Sequence, residues 1–181
     1  MRRYRKLEEK GLIQIYTGDG KGKTTAGIGQ AIRARGHKFK VCFVYFFKNL
    51  KDFSYGEVEL LKELGIEIVN FVPQHPHFYK NIPPEGIREK CLKAIESIKE
   101  IFQKNYDMVI LDEMLIALRD GFLKEEEILE LLEKKPESLE VILTGRGATK
   151  KIIEKADLVT EMKKIKHPFH RGVKERRGIE Y

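Results

Sequence analysis

The sequence predicts an α/β fold in a single domain, a mostly parallel sheet with helices on both faces. Three observations predict it. Short β-branched and aromatic runs alternate with longer segments of helical periodicity from residue 12 to residue 162, and such alternation implies right-handed crossovers between parallel strands. The run at 40–47, Lys-Val-Cys-Phe-Val-Tyr-Phe-Phe, is too uniformly apolar for a strand with one wet face, so it reads as a central strand buried on both sides. A glycine-rich turn, Thr-Gly-Asp-Gly-Lys-Gly-Lys-Thr-Thr at 17–25, joins the first strand to the first helix.

In chain order, residues 12–16 form the first strand. A helix over 24–35 follows the turn, with Gly36 expected at its left-handed C-terminal position. The second strand is 40–47, a loop covers 49–56, and a short helix over 57–64 stops at Gly65 before a third strand at 66–71. Residues 72–84 hold four of the chain's six prolines and predict an irregular loop of the kind that usually serves function. The spacing of Ile87, Cys91, Ala94, Ile95, Ile98 and Phe102 predicts a long amphipathic helix over 85–104. A strand at 107–111 then ends on Asp112 and Glu113. Helices at 115–119 and 124–134, a strand at 139–143, a helix at 149–155 and a last strand at 158–162 complete the alternation.

Composition bounds the function classes. At 181 residues and 21.1 kDa the chain suits one core. No apolar stretch approaches the roughly 20 residues of a membrane helix, and residues 1–10, mostly charged, lack the apolar segment of a secretion signal. A cytoplasmic setting is therefore expected. Cys42 and Cys91 lack the spacing of a zinc or redox motif and read as buried structural residues. The net charge of +7 fits a nucleic-acid partner or a polyanionic small molecule equally well, because most cations are interleaved with Glu along helices. The high Lys and Glu content leans toward heat adaptation.

Three constellations carry chemistry. The turn at 17–25 has the order strand, glycine-rich loop, helix N-terminus, which makes a triphosphate cradle. The backbone N–H groups of Gly20 to Lys23 are expected to point into one concavity, Lys23 to reach phosphate oxygens, and the Thr24 hydroxyl to face Mg²⁺. The pattern G-x-x-x-x-G-K-[ST] places Thr17 where it asks for glycine, and Gly18, Gly20 and Gly22 crowd the turn instead. Asp112 and Glu113, closing a strand parallel to the one that feeds the loop, form a Walker-B pattern that holds Mg²⁺ directly or through water. Arg146, in the Thr-Gly-Arg-Gly turn at 144–147, is expected at the same sheet edge, where its planar fork suits phosphate oxygens. Together these imply a P-loop NTPase-like (RecA-like) domain. Lys48 and Glu57 lie on that edge by topology, and Arg33 lies three turns into the first helix. The pairs His75/His77 and His167/His170 lack the Cys or carboxylate companions of a metal site, and no Ser-His-Asp or Cys-His arrangement is recognisable. From these residues a small P-loop kinase or NTPase, and an ATP-dependent nucleic-acid-binding protein, stay open beside a transferase.

The same stretches, with Ala156 to Met162, Lys166-His-Pro-Phe169 and the terminal Arg-Gly-Ile-Glu-Tyr, resemble the P-loop class of ATP:corrinoid adenosyltransferases over nearly the whole chain. Thr17 is a marker of that family's loop. The resemblance implies that reduced corrinoid Co(I) attacks the ribose 5′ carbon of ATP and that triphosphate leaves whole. It implies that Gly18, Asp19, Gly20, Lys21, Gly22, Lys23, Thr24 and Thr25 hold the triphosphate with Arg33 and Arg146, and that Thr24, Asp112 and Glu113 bind Mg²⁺. Lys48 and Glu57 fall on the corrinoid side. Relatives cover the corrinoid's lower face with a Phe and Trp pair; this chain has no Trp, and Phe78 or Tyr79 is expected to substitute. A homodimer, a flavoprotein reductant and a basic N-terminal arm over 1–10, ahead of a domain at 11–181, are further implications.

Overall fold

A computed structural model describes residues 10–50, 55–73 and 83–179. Its elements run β1 (Ile13–Thr17), α1 (Lys23–Gly36), β2 (Val41–Phe46), α2 (Gly56–Glu63), β3 (Glu67–Phe71), α3 (Pro84–Phe102), β4 (Met108–Asp112), α4 (Met114–Arg119), α5 (Glu125–Glu133), β5 (Glu140–Thr144), α6 (Lys150–Lys155) and β6 (Leu158–Glu161). The six strands form one sheet in the order β3-β2-β4-β5-β1-β6, every pairing parallel. Among the described residues these twelve elements match the expected ones to within about two residues at each end, the spread that boundary definitions allow, and a 3₁₀ turn at Pro168–Arg171 adds to them.

Side chains alternate across the sheet into two cores. Ile13, Ile15, Cys42, Val44, Phe46, Val109, Leu111, Val141 and Leu143 face one side, where α3, α4, α5 and α6 cover them. Val41, Phe43, Tyr45, Met108, Ile110 and Ile142 face the other, beneath α1 and α2. Two covered faces are why β2 reads as an unbroken apolar run: all six of its residues are buried. Burial pushes the Cys42 and Cys91 thiols up to about 12, in keeping with structural cysteines.

One helix end departs from expectation. Gly36 stays inside α1, and Lys38 takes the left-handed position at φ 68. Phe39 N–H bonds back to Ala34 O at 3.1 Å and Lys38 N–H to Arg35 O at 2.9 Å, the two bonds of a Schellman cap, and Phe39 packs on the core under α1. That return of Phe39 to the core sets the turn two residues later than the glycine. Gly65, with φ 74, does take the left-handed position after α2.

At the edge of the sheet remote from the strand C-termini, Lys135 acts as a staple. Its ammonium donates to Gly11 O at 2.7 Å, Leu139 O at 2.8 Å and Pro136 O at 3.1 Å, joining the strand entries of β1 and β5. Lys135→Met keeps the stem and strands those carbonyls; a loss of about 2 kcal/mol is expected. It reads out as a melting temperature lower by roughly 4–8 °C. An unchanged melting temperature would remove the staple from the fold's stability.

Candidate active site

All six strands deliver their C-termini to one edge, where open α/β sheets place ligands. The loop after β1 lies against the residues that follow β6. Met162 N–H donates to Thr17 O at 2.8 Å, and Gly20 N–H donates to Met162 O at 2.6 Å. A Cβ on Gly18 or Gly20 would stand 2.6 Å from Met162 O, so these glycines exist for the close approach of the chain's own backbone. Gly20 N–H is thereby spent on Met162 and does not face the cradle, contrary to expectation. Gly22, at φ 120, makes the final turn into α1, whose first turn leaves N–H groups without helical acceptors.

Lys23 opens α1 and is 7% exposed. Its Nζ donates to Gly18 O and Gly20 O, each at 2.8 Å, so the ammonium closes the loop upon itself. Burial lowers its pKa, while Glu113, Asp19 and Asp112 oppose that shift. Thr24 is half-buried and Thr25 exposed on the same turn. Lys21, at the loop's tip, donates to Ile179 O at 2.8 Å and so ties the loop to the C-terminal tail.

Asp112 ends β4, and β5 separates that strand from β1. Across the gap Thr144, at the end of β5, donates its hydroxyl to Asp112 Oδ1 at 2.7 Å and accepts the Glu113 N–H at 2.9 Å. One hydroxyl thus holds the Asp112 carboxylate and the Glu113 backbone. Glu113 is bent into the left-handed region at φ 62, strain of the kind found where a side chain must be aimed. Burial, then the charge of Asp112, pushes the Glu113 carboxyl up to about 7. Asp112 Oδ2 and Glu113 Oε2 are buried without a hydrogen-bond partner among the described residues, a costly state for carboxylate oxygens that a divalent cation relieves. No cluster of three or more His, Cys, Asp and Glu forms a metal site among the described residues. The two open carboxylate oxygens fit an ion that would take the rest of its ligands from a hydroxyl, phosphates and water.

Arg146 projects from a turn whose two glycines pack on α4: a Cβ on Gly145 would stand 2.9 Å from Leu115 Cβ, and one on Gly147 would stand 2.7 Å from Arg119 Cβ. Its Nε lies 3.8 Å from Asp19 Oδ1 on the phosphate loop, so the two constellations meet as expected. Arg33 is not brought there. It is exposed near the far end of α1, about 15 Å along the axis from Lys23, with Nη1 donating to Gln30 Oε1 at 3.1 Å. Lys48 and Glu57 do reach the site and pair with each other. Phe78 and Tyr79 lie outside the described residues, as do His75, His77 and residues 1–9 of the N-terminal arm.

Thr144 and Met162 escaped the sequence reading. A threonine directly before the Gly-Arg-Gly turn at a strand's end is a signal for the first. Nothing local marks the second, since its role is a backbone contact with a segment more than 140 residues away.

The sequence profile of the family described as ATP:corrinoid adenosyltransferase BtuR/CobO/CobP matches residues 9–181. This chain belongs to that family. A corrinoid adenosyltransferase of Sinorhizobium sp. is 39% identical over 180 residues, covering 97% of this chain and 83% of the relative. The corrinoid adenosyltransferase of Escherichia coli K12 and the Salmonella typhimurium LT2 corrinoid adenosyltransferase CobA are each 37% identical over 175 residues, covering 96% of this chain and 87% of theirs. The crystal structure of the RadB recombinase superposes with a TM-score of 0.53 at 16% identity over 88% of this chain and 77% of that one, a likeness of fold alone. The chain is a transferase of a RecA-like α/β fold, acting on ATP and a corrinoid. Among the described residues no helix is long and apolar enough to cross a membrane.

Proposed function

We propose that this adenosyltransferase moves the 5′-deoxyadenosyl group of ATP to the Co(I) centre of a reduced corrinoid and releases intact triphosphate. The observation that carries the reading is the gathering of Lys23, Asp112, Glu113 and Arg146 around one phosphate loop. These groups hold and neutralise a polyanion. In this reaction the substrate's own metal is the nucleophile, so the protein's task is to position ATP, exclude water and stabilise the departing charge.

Within that reading, the N–H groups at the start of α1 and the Lys23 ammonium hold the triphosphate. Lys23 exchanges two loop carbonyls for phosphate oxygens as ATP enters. Arg146, pivoting from Asp19, adds charge at the rim. Each contact strengthens as the C5′–O bond breaks and charge collects on the leaving group. Asp112, Glu113 and the Thr24 hydroxyl would hold Mg²⁺, with Thr144 fixing the Asp112 carboxylate and the Glu113 backbone; when bound, the ion would supply positive charge to the triphosphate. Phe78 or Tyr79 as the cover of the corrinoid's lower face, a homodimer, a flavoprotein electron donor and a cytoplasmic setting complete the proposal on the strength of the family resemblance.

The test is anaerobic incubation with ATP, Mg²⁺ and chemically reduced cobalamin. The visible spectrum of the alkylated corrinoid and an equal amount of triphosphate are expected. ADP as the product, formed without corrinoid, would assign the site to phosphoryl transfer instead.

A further inference from the structure

Lys48 is held more elaborately than an exposed loop cation requires. Its carbonyl accepts from Asn70 Nδ2 at 2.9 Å, and the preceding Phe47 donates its N–H to Val72 O at 3.0 Å. Phe47 and Val72 both adopt left-handed backbone, at φ 56 and φ 52, an unfavourable conformation for an aromatic and a β-branched residue. The loop after β2 is thus locked to the end of β3 in a strained form that turns the Lys48 side chain inward.

The ammonium lands in a box. Nζ stands 4.5 Å from the Tyr45 ring centroid and 5.2 Å from that of Tyr55. It lies 3.5 Å from Asp112 Oδ2 and 3.6 Å from Glu57 Oε1, and the side chain is 17% exposed. Tyr45 and Asp112 are cross-strand partners in register, so the box is built on the same row of the sheet as the ion-site carboxylate. The 3.5 Å separation compensates the charge of Asp112 while leaving its Oδ2 without a hydrogen bond. A carboxylate oxygen neutralised through space yet open for coordination is ready for a metal ion, and the near-equal distance to Glu57 offers the ammonium a second partner.

We propose that Lys48 is a positioning residue of the ion site. It is an internal counter-cation that neutralises Asp112 while no divalent ion is bound and is retained by Glu57 once the ion takes Asp112 Oδ2. The proposal rests on reading Asp112 and Glu113 as the carboxylates that hold the ion. It assigns Lys48 and Glu57, which fall on the corrinoid side by resemblance, a task inside the metal site.

The test uses the full-length protein without nucleotide, titrated with Mn²⁺ and followed by electron paramagnetic resonance of the free ion. Lys48→Met removes the competing cation and is expected to bind Mn²⁺ about fivefold more tightly, whereas Glu57→Gln removes the alternative partner and is expected to bind about fivefold less tightly. Lys48→Arg keeps the charge and stays near the parent value. Opposite signs from the two members of one ion pair are not produced by a packing role or by a corrinoid contact. If Lys48→Met does not fold, Lys48→Gln removes the same charge and takes its place in the comparison with Glu57→Gln. Affinities that are unchanged, or that move together, overturn the proposal alone. Absence of Mn²⁺ binding by the parent overturns it together with the carboxylate reading, and leaves adenosyl transfer itself standing if corrinoid is still alkylated.

Discussion

Replacing Lys23 by Ala is expected to slow cobalt–carbon bond formation by about 100- to 1,000-fold, the usual effect of deleting one preorganised charge donor from a site where charge develops. Lys23 is the most buried cation of the phosphate loop, and its Nζ is already within 2.8 Å of two loop carbonyls. Both roles vanish with the side chain: the loop loses its clasp and, on the proposed function, the triphosphate loses an ammonium. The loss should appear chiefly in the rate at saturating ATP, because the contact gains most when the C5′–O bond breaks. The fold should survive, since the sheet and both cores lie beneath the loop. Anaerobic formation of alkylated corrinoid, measured beside the melting temperature, checks it. A near-parental rate from a folded Lys23→Ala protein would sink the assignment of this loop.

Gly20→Ala should have the second-largest effect, although it deletes nothing. The new Cβ would meet Met162 O at 2.6 Å, Met162 C at 2.9 Å and Lys163 C at 3.0 Å. These are backbone atoms, so no rotamer change relieves the clash. Either the loop or the chain leaving β6 must shift, which breaks the 2.6 Å bond from Gly20 N–H to Met162 O. A cost of about 1–3 kcal/mol is expected, concentrated at the seam that shapes the phosphate cradle. ATP affinity should fall roughly 10- to 100-fold. Gly29→Ala is the control: it lies on α1 with no atom within 4 Å of the new Cβ, and alanine there should stabilise the helix by up to about 1 kcal/mol. Calorimetric ATP titrations of the two variants separate the outcomes. Equal ATP affinity in both would mean that the Met162 contact does not shape the site.

The element order was legible because each element carries its own signal. The apolar run of β2 follows from burial on both faces, the i, i+3, i+4 stripe of α3 from packing over one core, and Gly65 from the left-handed position it occupies. Gly36 misled for an equally physical reason. The cap was decided by where Phe39 reaches the core, and Lys38 accepted the left-handed backbone that the nearby glycine was expected to take. In the site, the side chains of Lys23, Asp112, Glu113 and Arg146 could be read because strand–loop–helix order and parallel strands send them to one edge. Arg33 could be counted along its helix but not aimed, and the helix carries it away from the loop.

The sequence alone determined the fold class, the phosphate loop and the family, since these rest on periodicity and on motifs contiguous in the chain. Tertiary structure alone decided what those motifs do to one another. It showed that Gly18 and Gly20 admit Met162, that Thr144 on the neighbouring strand holds the Asp112 carboxylate and the Glu113 backbone, and that Lys48 turns inward between two carboxylates. Apart from Lys48 with Glu57, each is a contact between segments far apart in the chain. The order of strands in the sheet, on which all three depend, is set by how whole elements pack and not by any local run of residues.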